Sequence, residues 1–317
     1  MPHPYEEISR LHAPVQPFDK GYLIRGNHHI YYEQSGNPEG IPVLFLHGGP
    51  GAGCSPAHRR LFNPKRYRAI LFDQRGCGKS TPYATIEDNT TQELTDDIEA
   101  LRIELGIEKM IIFGGSWGST LGLCYGIAYP QNCLGFVLRG IFLGTDAEVQ
   151  WFLYEMGRFF PEASEAFQNF LPASERDDLL DGYYRRLSGL SSGEALAAAQ
   201  HWAAYENSCA TLVAEARGAG QGALSIALIE AHYFKHNCFL EPDYILNHVK
   251  TISHLPSVIV NGRHDVICPP FSARKLAELW GDAATLQLID DAGHSAFEAG
   301  ILSALLKGLD KVALNLA

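Results

Sequence analysis

At 317 residues and 46% hydrophobic, the chain can bury a large core but is long for one compact domain, which predicts a single core with a sizeable insertion. Its formal net charge of -11 argues against nucleic-acid and anionic-membrane partners, because an acidic surface repels both. A ligand bearing a positive group would be attracted instead.

The opening stretch MPHPYEEISRLHAPVQPFDKG is polar and proline-bearing, with no basic segment leading into an apolar run. No later window holds the roughly 18 apolar residues needed to span a bilayer, so a cytoplasmic protein is expected. GYLIRGNHHIYYEQSG predicts two strands around the Gly26-Asn27 turn, since Tyr22, Ile24, Ile30 and Tyr32 alternate with more polar neighbours. Pro42 to Leu46 is a short apolar strand that runs into His47-Gly48-Gly49-Pro50-Gly51. That loop either aims backbone N–H groups at a ligand or is a tight surface turn.

Arg68 to Phe72 is the next strand, followed by Asp73-Gln74-Arg75-Gly76-Cys77-Gly78-Lys79-Ser80. A Walker phosphate loop would need glycine where Asp73 stands, so the nucleotide reading fails, and Asp73 with Arg75 is expected to form an ion pair that fixes the loop. Thr90 and Glu93 make a capping box, and Leu94, Ile98, Leu101 and Leu105 recur at helical spacing up to Gly106.

KMIIFGGSWGSTL then reads as a buried strand, a glycine-bound turn and a helix start. Gly114-Gly115-Ser116-Trp117-Gly118 fits G-x-S-x-G, the nucleophile elbow, where small residues let strand and helix approach and the serine takes a sparsely populated backbone geometry. The same pattern also suits a phosphate-binding turn. Leu134 to Leu138 adds a strand ending at Arg139-Gly140. Such alternation predicts an α/β fold: a mostly parallel sheet with helices on both faces and ligands at the strands' carboxyl ends.

From residue 141 the pattern turns helical, through WFLYEMGRFF, SERDDLLDGYYRRL, SGEALAAAQHWAAYENS and ALSIALIEAHYFKH. An inserted all-helical cap over 141–247 is expected, packed on a catalytic domain of 1–140 and 248–317. A strand at Pro256 to Val260, a helix at Phe271 to Trp280, a strand at Thr285 to Ile289 and a helix from Ala296 resume the alternation.

Two strand-end loops carry further chemistry: Asn261-Gly262-Arg263-His264-Asp265 and Asp291-Ala292-Gly293-His294-Ser295. The order Ser116, Asp265, His294 is that of α/β-hydrolase triads. Ser116 would attack, His294 would carry the proton and Asp265 would hold the imidazole. Backbone N–H groups of Trp117 and Gly49 would form the oxyanion hole. His264 adjoins the acid and is the poorer base, while Asp290 and Asp291 sit too near His294 in sequence to serve as the separate acid. The seven cysteines are odd in number and show no C-x-x-C pair, so free buried thiols are expected. A mercurial on Cys268, three residues after Asp265, would disturb the triad without cysteine being catalytic.

HGGPG at 47–51, FDQRGCGKS at 72–80, GGSWGSTL at 114–121, LRGIFL at 138–143, GRHDVICP at 262–269 and AGHSAFE at 292–298 together closely resemble the proline iminopeptidases (prolyl aminopeptidases) of the α/β-hydrolase fold. The resemblance runs over nearly the whole chain. It implies a serine peptidase that releases N-terminal proline through an acyl-enzyme, with no cofactor or metal, small peptides as substrates and a monomer as the favoured state. It places the triad on Ser116, Asp265 and His294, and amine-binding carboxylates on Glu206 and Glu230. By i, i+4 spacing Glu206 shares a helix face with Trp202, and Glu230 with Phe234 and Ile226, which offers apolar surface for a pyrrolidine ring. Phe142 and Tyr154 line the same pocket by resemblance, with Arg139 balancing the two negative charges.

The chain departs from the family pattern at Ala231, where asparagine is common, and at Tyr205, where tryptophan is common. The loss of a polar group at 231 bears on tolerance of hydroxyproline more than on the reaction. Alternatives are an esterase or amidase on the same scaffold and a catalytically silent binding protein. Halide and epoxide hydrolases are disfavoured, since they carry aspartate at the elbow.

Overall fold

A computed structural model describes residues 10–189, 191–213 and 222–314. The expected polar start lies outside the described residues up to position 9, as do 190 and 214–221 of the helical stretch. The chain opens with β1 (Pro17–Arg25) and β2 (His28–Gly36), which pair antiparallel around Gly26-Asn27. Next come β3 (Ile41–Leu46), the one-turn helix α1 (Pro56–Arg59), β4 (Tyr67–Phe72), α2 (Thr91–Glu104), β5 (Met110–Ser116), α3 (Trp117–Ala128) and β6 (Cys133–Ile141). After a helical stretch, β7 (Ser257–Gly262) and β8 (Ala284–Ile289) complete an eight-stranded sheet of order β1-β2-β4-β3-β5-β6-β7-β8. The six strands from β4 to β8 run parallel, with the antiparallel β1–β2 hairpin on one edge.

Alternate residues of the central strands supply two separate cores, as a period of two requires. Leu44, Leu46, Ile70, Phe72, Ile112 and Leu138 face one layer, which includes Leu94, Ile98 and Leu101 of α2. Val43, Phe45, Leu71, Ile111, Phe113 and Val137 face the other, with Ile301, Leu305 and Leu309 of the last helix. Both faces are covered, so β5 and β7 are buried almost throughout.

From β3 the chain moves outward to β4, then returns past β3 to β5. The connections that leave β3 and β5 run in opposite directions, to β4 and to β6, which opens a crevice at the carboxyl ends of these two neighbouring strands. Leu46 of β3 is in register with Gly114 of β5, so the His47–Gly51 loop and Ser116 emerge side by side.

Between β6 and β7 the described residues form helices and turns, with no strand. They are α4 (Asp146–Gln150), a π-helical turn Trp151–Glu155, α5 (Pro161–Asn169), α6 (Leu179–Leu187), α7 (Ser192–Cys209), α8 (Ala223–Lys235) and α9 (Tyr244–His248). Phe167 stacks on Tyr183 at 4.4 Å and on Tyr205 at 4.6 Å, and Trp202 meets it edge-on at 5.6 Å. This aromatic nest fixes α5, α6 and α7 together. After β7 come α10 (Pro270–Trp280) and, after β8, α11 (Ala299–Leu314).

Three local expectations need correction. Asp73 and Arg75 do not pair: Asp73 accepts from the Cys54 N–H at 2.6 Å and the Lys79 N–H at 2.8 Å, whereas Arg75 binds Asp97 at 2.6 Å and Glu93 at 2.7 Å. A turn begins at Arg75 and carries its guanidinium towards α2, while the Asp73 carboxylate faces amides of its own and the neighbouring loop, so each finds its own partner. Glu93 is therefore spent on Arg75; Thr90 still caps α2 by accepting from the Glu93 N–H at 3.2 Å. Finally, β6 continues past Leu138 to Ile141, because Gly140 adopts φ +55° and lets the strand pass close beside His294.

Candidate active site

Ser116 ends β5 and caps α3 with φ +57° and ψ -130°, a strained geometry for a residue with a side chain. The glycines around it make this turn possible. A Cβ on Gly118 would strike the Leu46 carbonyl, and one on Gly114 would strike the Gly118 carbonyl. The backbone N–H of Trp117 starts α3, where unpaired amides and the helix dipole favour negative charge.

The opposing glycine loop is held by a buried network. His47 Nε2 accepts from the Gln74 N–H at 3.1 Å, which leaves Nδ1–H to donate to the Gly48 carbonyl at 2.9 Å. Burial lowers the His47 pKa and keeps the ring neutral, as that tautomer requires. The Gln74 side chain donates to the His47 carbonyl at 3.0 Å and accepts from the Trp117 indole at 2.9 Å. It thereby ties the two proposed oxyanion segments to each other.

His294 and Asp265 are in contact: Nδ1–H donates to Asp265 Oδ2 at 2.8 Å, and Asp265 Oδ1 accepts from the Cys268 N–H at 2.8 Å. His264 and both Asp290 and Asp291 are exposed, and Asp290 pairs with Arg263. Arg139 Nη1 donates to His294 Nε2 at 2.9 Å and to the His294 carbonyl at 2.9 Å. The lone pair that a general base must offer is thus held by Arg139. Among the described residues no hydrogen bond joins Nε2 to Ser116, which lines one cavity with the Cys268 thiol. Burial raises that thiol's pKa well above normal, so it stays protonated. The loop after Gly293 is also tied to α7, since the N–H groups of His294 (3.1 Å) and Ser295 (2.9 Å) both donate to the Ala210 carbonyl.

Beside Ser116 a small cavity is lined by Gly49, Phe142, Glu206, Glu230 and Phe234, together with Phe152, Glu148 and Cys268. Glu230 on α8 is only 3% exposed and accepts from the Trp202 indole at 2.5 Å. Burial, and then the charge of Glu206, push its pKa well above the carboxylate range. Glu206 on α7 opens to the cavity but is deep among protein atoms, and burial raises it to about 7. Among the described residues neither carboxylate has a cationic partner. Two buried acids that repel each other and lack a cation form a site for one.

A family model described as the α/β-hydrolase fold matches residues 41–300. A probable proline iminopeptidase of Leptolyngbya boryana is 45% identical over 96% of this chain and 97% of its own length. The proline iminopeptidases of Arabidopsis thaliana (44%, covering 95% of this chain and 82% of that protein) and Neisseria gonorrhoeae (44%, 94% and 97%) align similarly. The chain belongs to the proline iminopeptidase family. Among solved structures, VinJ superposes with a TM-score of 0.62 at 20% identity over 94% of this chain and 99% of VinJ. A proline iminopeptidase of Mycobacterium smegmatis gives 0.59 at 17% over 94% and 100%. At such identities these two speak to the fold.

Set against the family expectation, two pocket residues lie elsewhere. Arg139 does not balance Glu206 and Glu230; its guanidinium packs against Gly115 and His294, on another side of the elbow. Tyr154 does not line the cavity, because its hydroxyl accepts from the Leu179 N–H at 3.1 Å and so caps the start of α6. Phe152, two residues earlier in the π-helical turn, lines the cavity in its place.

Glu148 also lines the cavity and, like Phe152, is left unread in the sequence. It accepts from the N–H groups of Leu143 (3.0 Å) and Thr145 (3.1 Å) and from the Ser272 hydroxyl (2.7 Å), which sews the start of the helical stretch to α10. Thr145-Asp146-Ala147-Glu148 is a capping-box pattern, and that was the available signal. Gln74, by contrast, had no sequence signal, because its role depends on three loops meeting in space.

Proposed function

We propose that this chain is a serine aminopeptidase that releases N-terminal proline from peptides, with the helices between β6 and β7 acting as a cap domain. The observation that carries the reading is the pair of buried, uncompensated carboxylates, Glu206 and Glu230, in one aromatic-walled cavity with Ser116. A protonated secondary amine satisfies both acids, while Phe142, Phe152 and Phe234 supply apolar surface for its ring.

With the amine so held, the prolyl carbonyl is presented to Ser116. Its Oγ attacks the carbonyl carbon as His294 Nε2, moving off Arg139, accepts the hydroxyl proton. Asp265 stabilises the imidazolium through the Nδ1 bond, and the oxyanion is met by the N–H groups of Trp117 and Gly49. Collapse expels the leaving amine, which takes the proton from Nε2. Water then repeats the sequence on the prolyl ester and frees proline. Seven unpaired thiols suit a reducing compartment, and a cytoplasmic monomer belongs to this proposal.

The test is kcat/KM on Pro, Ala, Leu and N-acetyl-Pro anilides for the wild type, Glu206→Gln and Glu230→Gln. Proline preference should be strong, acetylation should abolish turnover, and each variant should lose roughly 100-fold on Pro-anilide, as expected when one partner of a desolvated charge pair is removed. Rapid turnover of simple esters with all anilides poor, or unaffected Gln variants, would sink the prolyl reading.

A further inference from the structure

Ser116 is flanked by a second cavity that the steps above leave unused. It lies across the glycine loop from the two glutamates and is lined by Gly48, His58, Gly115, Arg139, Asn207 and Ser295 among others. It adjoins the nucleophile: a Cβ on Gly48 would lie 3.3 Å from Ser116 Cβ, and one on Gly115 would lie 2.6 Å from Arg139 Nη2.

The charge of this cavity is simple. Among the described residues no aspartate or glutamate lines it. Its two histidines, His47 and His58, are kept neutral mainly by burial, His58 with its pKa lowered to about 4. Arg139 is the one formal charge among the described lining residues. Among the described residues no carboxylate lies within ion-pair distance of it; both its hydrogen bonds leave from Nη1, and its Nε is buried without a partner. Asp265 and Glu298 favour this charge only from beyond ion-pair distance, so the guanidinium, withdrawn from water, still lacks a contact anion, and its planar fork matches a carboxylate. Nothing in the acyl half of the reaction supplies that anion.

We propose that this cavity receives the leaving residue and that Arg139 binds the free α-carboxylate of a prolyl dipeptide. The inference rests on the prolyl reading, because the amine pair Glu206 and Glu230 fixes the direction of the substrate. With proline on that side of Ser116, the rest of the substrate leaves past Gly48 and Gly115. In a dipeptide the carboxylate stands one residue, about 3.8 Å, beyond the cleaved unit and beside Arg139. In a longer peptide that position holds a neutral amide, and the terminal charge is carried past the guanidinium.

The experiment compares kcat/KM for Pro-Gly, Pro-Gly-amide and proline anilide in the wild type, Arg139→Lys and Arg139→Met. The amide is the intrinsically better leaving group, since a free carboxylate raises the basicity of the departing amine, so chemistry alone favours it. The wild type should nonetheless prefer the free acid over the amide by roughly 10-fold or more, the size of a charge-assisted contact. Arg139→Met should reverse the preference, and Arg139→Lys should retain part of it. A purely structural role for Arg139 would lower all three substrates alike and leave the acid-to-amide ratio unchanged, which overturns the proposal. Equal rates for acid and amide in the wild type overturn it without any variant, while brisk proline anilide turnover in the same assay leaves the prolyl reading standing. If none of the three is cleaved, the prolyl reading falls and this proposal with it.

Discussion

Because burial holds the Glu206 carboxyl near pH 7, its protonation state changes within the neutral range. Below that pH the acid is neutral and cannot pair with an ammonium group, so KM for Pro-anilide should rise as pH falls from 8 to 6, with kcat less affected. A flat KM across that interval would separate Glu206 from amine binding. The same shift has a stability consequence of defined sign. A carboxyl whose folded pKa lies above its unfolded value of 4.5 favours folding at low pH, and that contribution is lost as pH rises through about 7. Thermal melts of the free protein should therefore show Glu206→Gln matching the wild type near pH 5 and exceeding it above pH 7. At the nucleophile, Ser116→Ala should cut kcat by roughly 10⁴-fold or more without lowering the melting temperature, since φ +57° is no harder for alanine than for serine. Retained labelling by a serine-directed organophosphonate in that variant would move the nucleophile elsewhere.

Among the elements, the β5–α3 turn has the least steric freedom. Gly118→Ala drives a methyl group into the Leu46 carbonyl, a contact with backbone on both sides, and should cost about 3 kcal/mol or more, read as reduced soluble yield and a lower denaturation midpoint. An alanine variant of wild-type stability would show that β3 can withdraw. The α2 helix is bound differently. Asp97 holds Arg75 and Arg25 at 2.6 and 3.2 Å while fully buried, so Asp97→Ala should cost about 3–5 kcal/mol in urea unfolding, whereas Thr90→Ala should cost about 1. Similar losses from both would mean that the ion pair is solvated. These elements also show what a sequence can convey. The strand-turn-helix order and the elbow were legible because glycine at 114 and 118 records a backbone contact directly. The Asp73–Arg75 pair was misread because proximity along the chain says nothing of direction. Arg139 was assigned to the wrong cavity for a related reason: it sits in register with Gly115, and only the assembled sheet reveals on which side of the elbow its long side chain lies. Ser116, Asp265 and His294 could be singled out because each lies at the carboxyl end of a parallel strand or in the loop just after it, a relation that the alternation of elements already implies.

For the whole molecule, the helices between β6 and β7 are fastened to the sheet domain along more than one edge. Thr91 Oγ1 donates to the Cys238 carbonyl at 2.5 Å, Ser225 Oγ to the Gly51 carbonyl at 2.9 Å, and the Trp151 indole to the Val266 carbonyl at 2.6 Å. Glu298 accepts from the N–H groups of Leu212 and Gly293, joining the end of α7 to the His294 loop. With its buried side chains in one continuous apolar cluster, the insertion should unfold with the sheet in one transition. Calorimetry showing an earlier, separate melting of the helical part would contradict this. The attachment of the Ala210 carbonyl to His294 and Ser295 has a further meaning. Glu206 and Ala210 are four residues apart, so one turn of helix, about 6 Å, sets the spacing between the proposed amine contact and the anchor of the base. Helix α7 is in effect a gauge block: it fixes how far a reactive carbonyl can stand from a charged nitrogen. A β-amino acid amide, one methylene longer between those two groups, would fail that measurement even though its charge and its ring were correct.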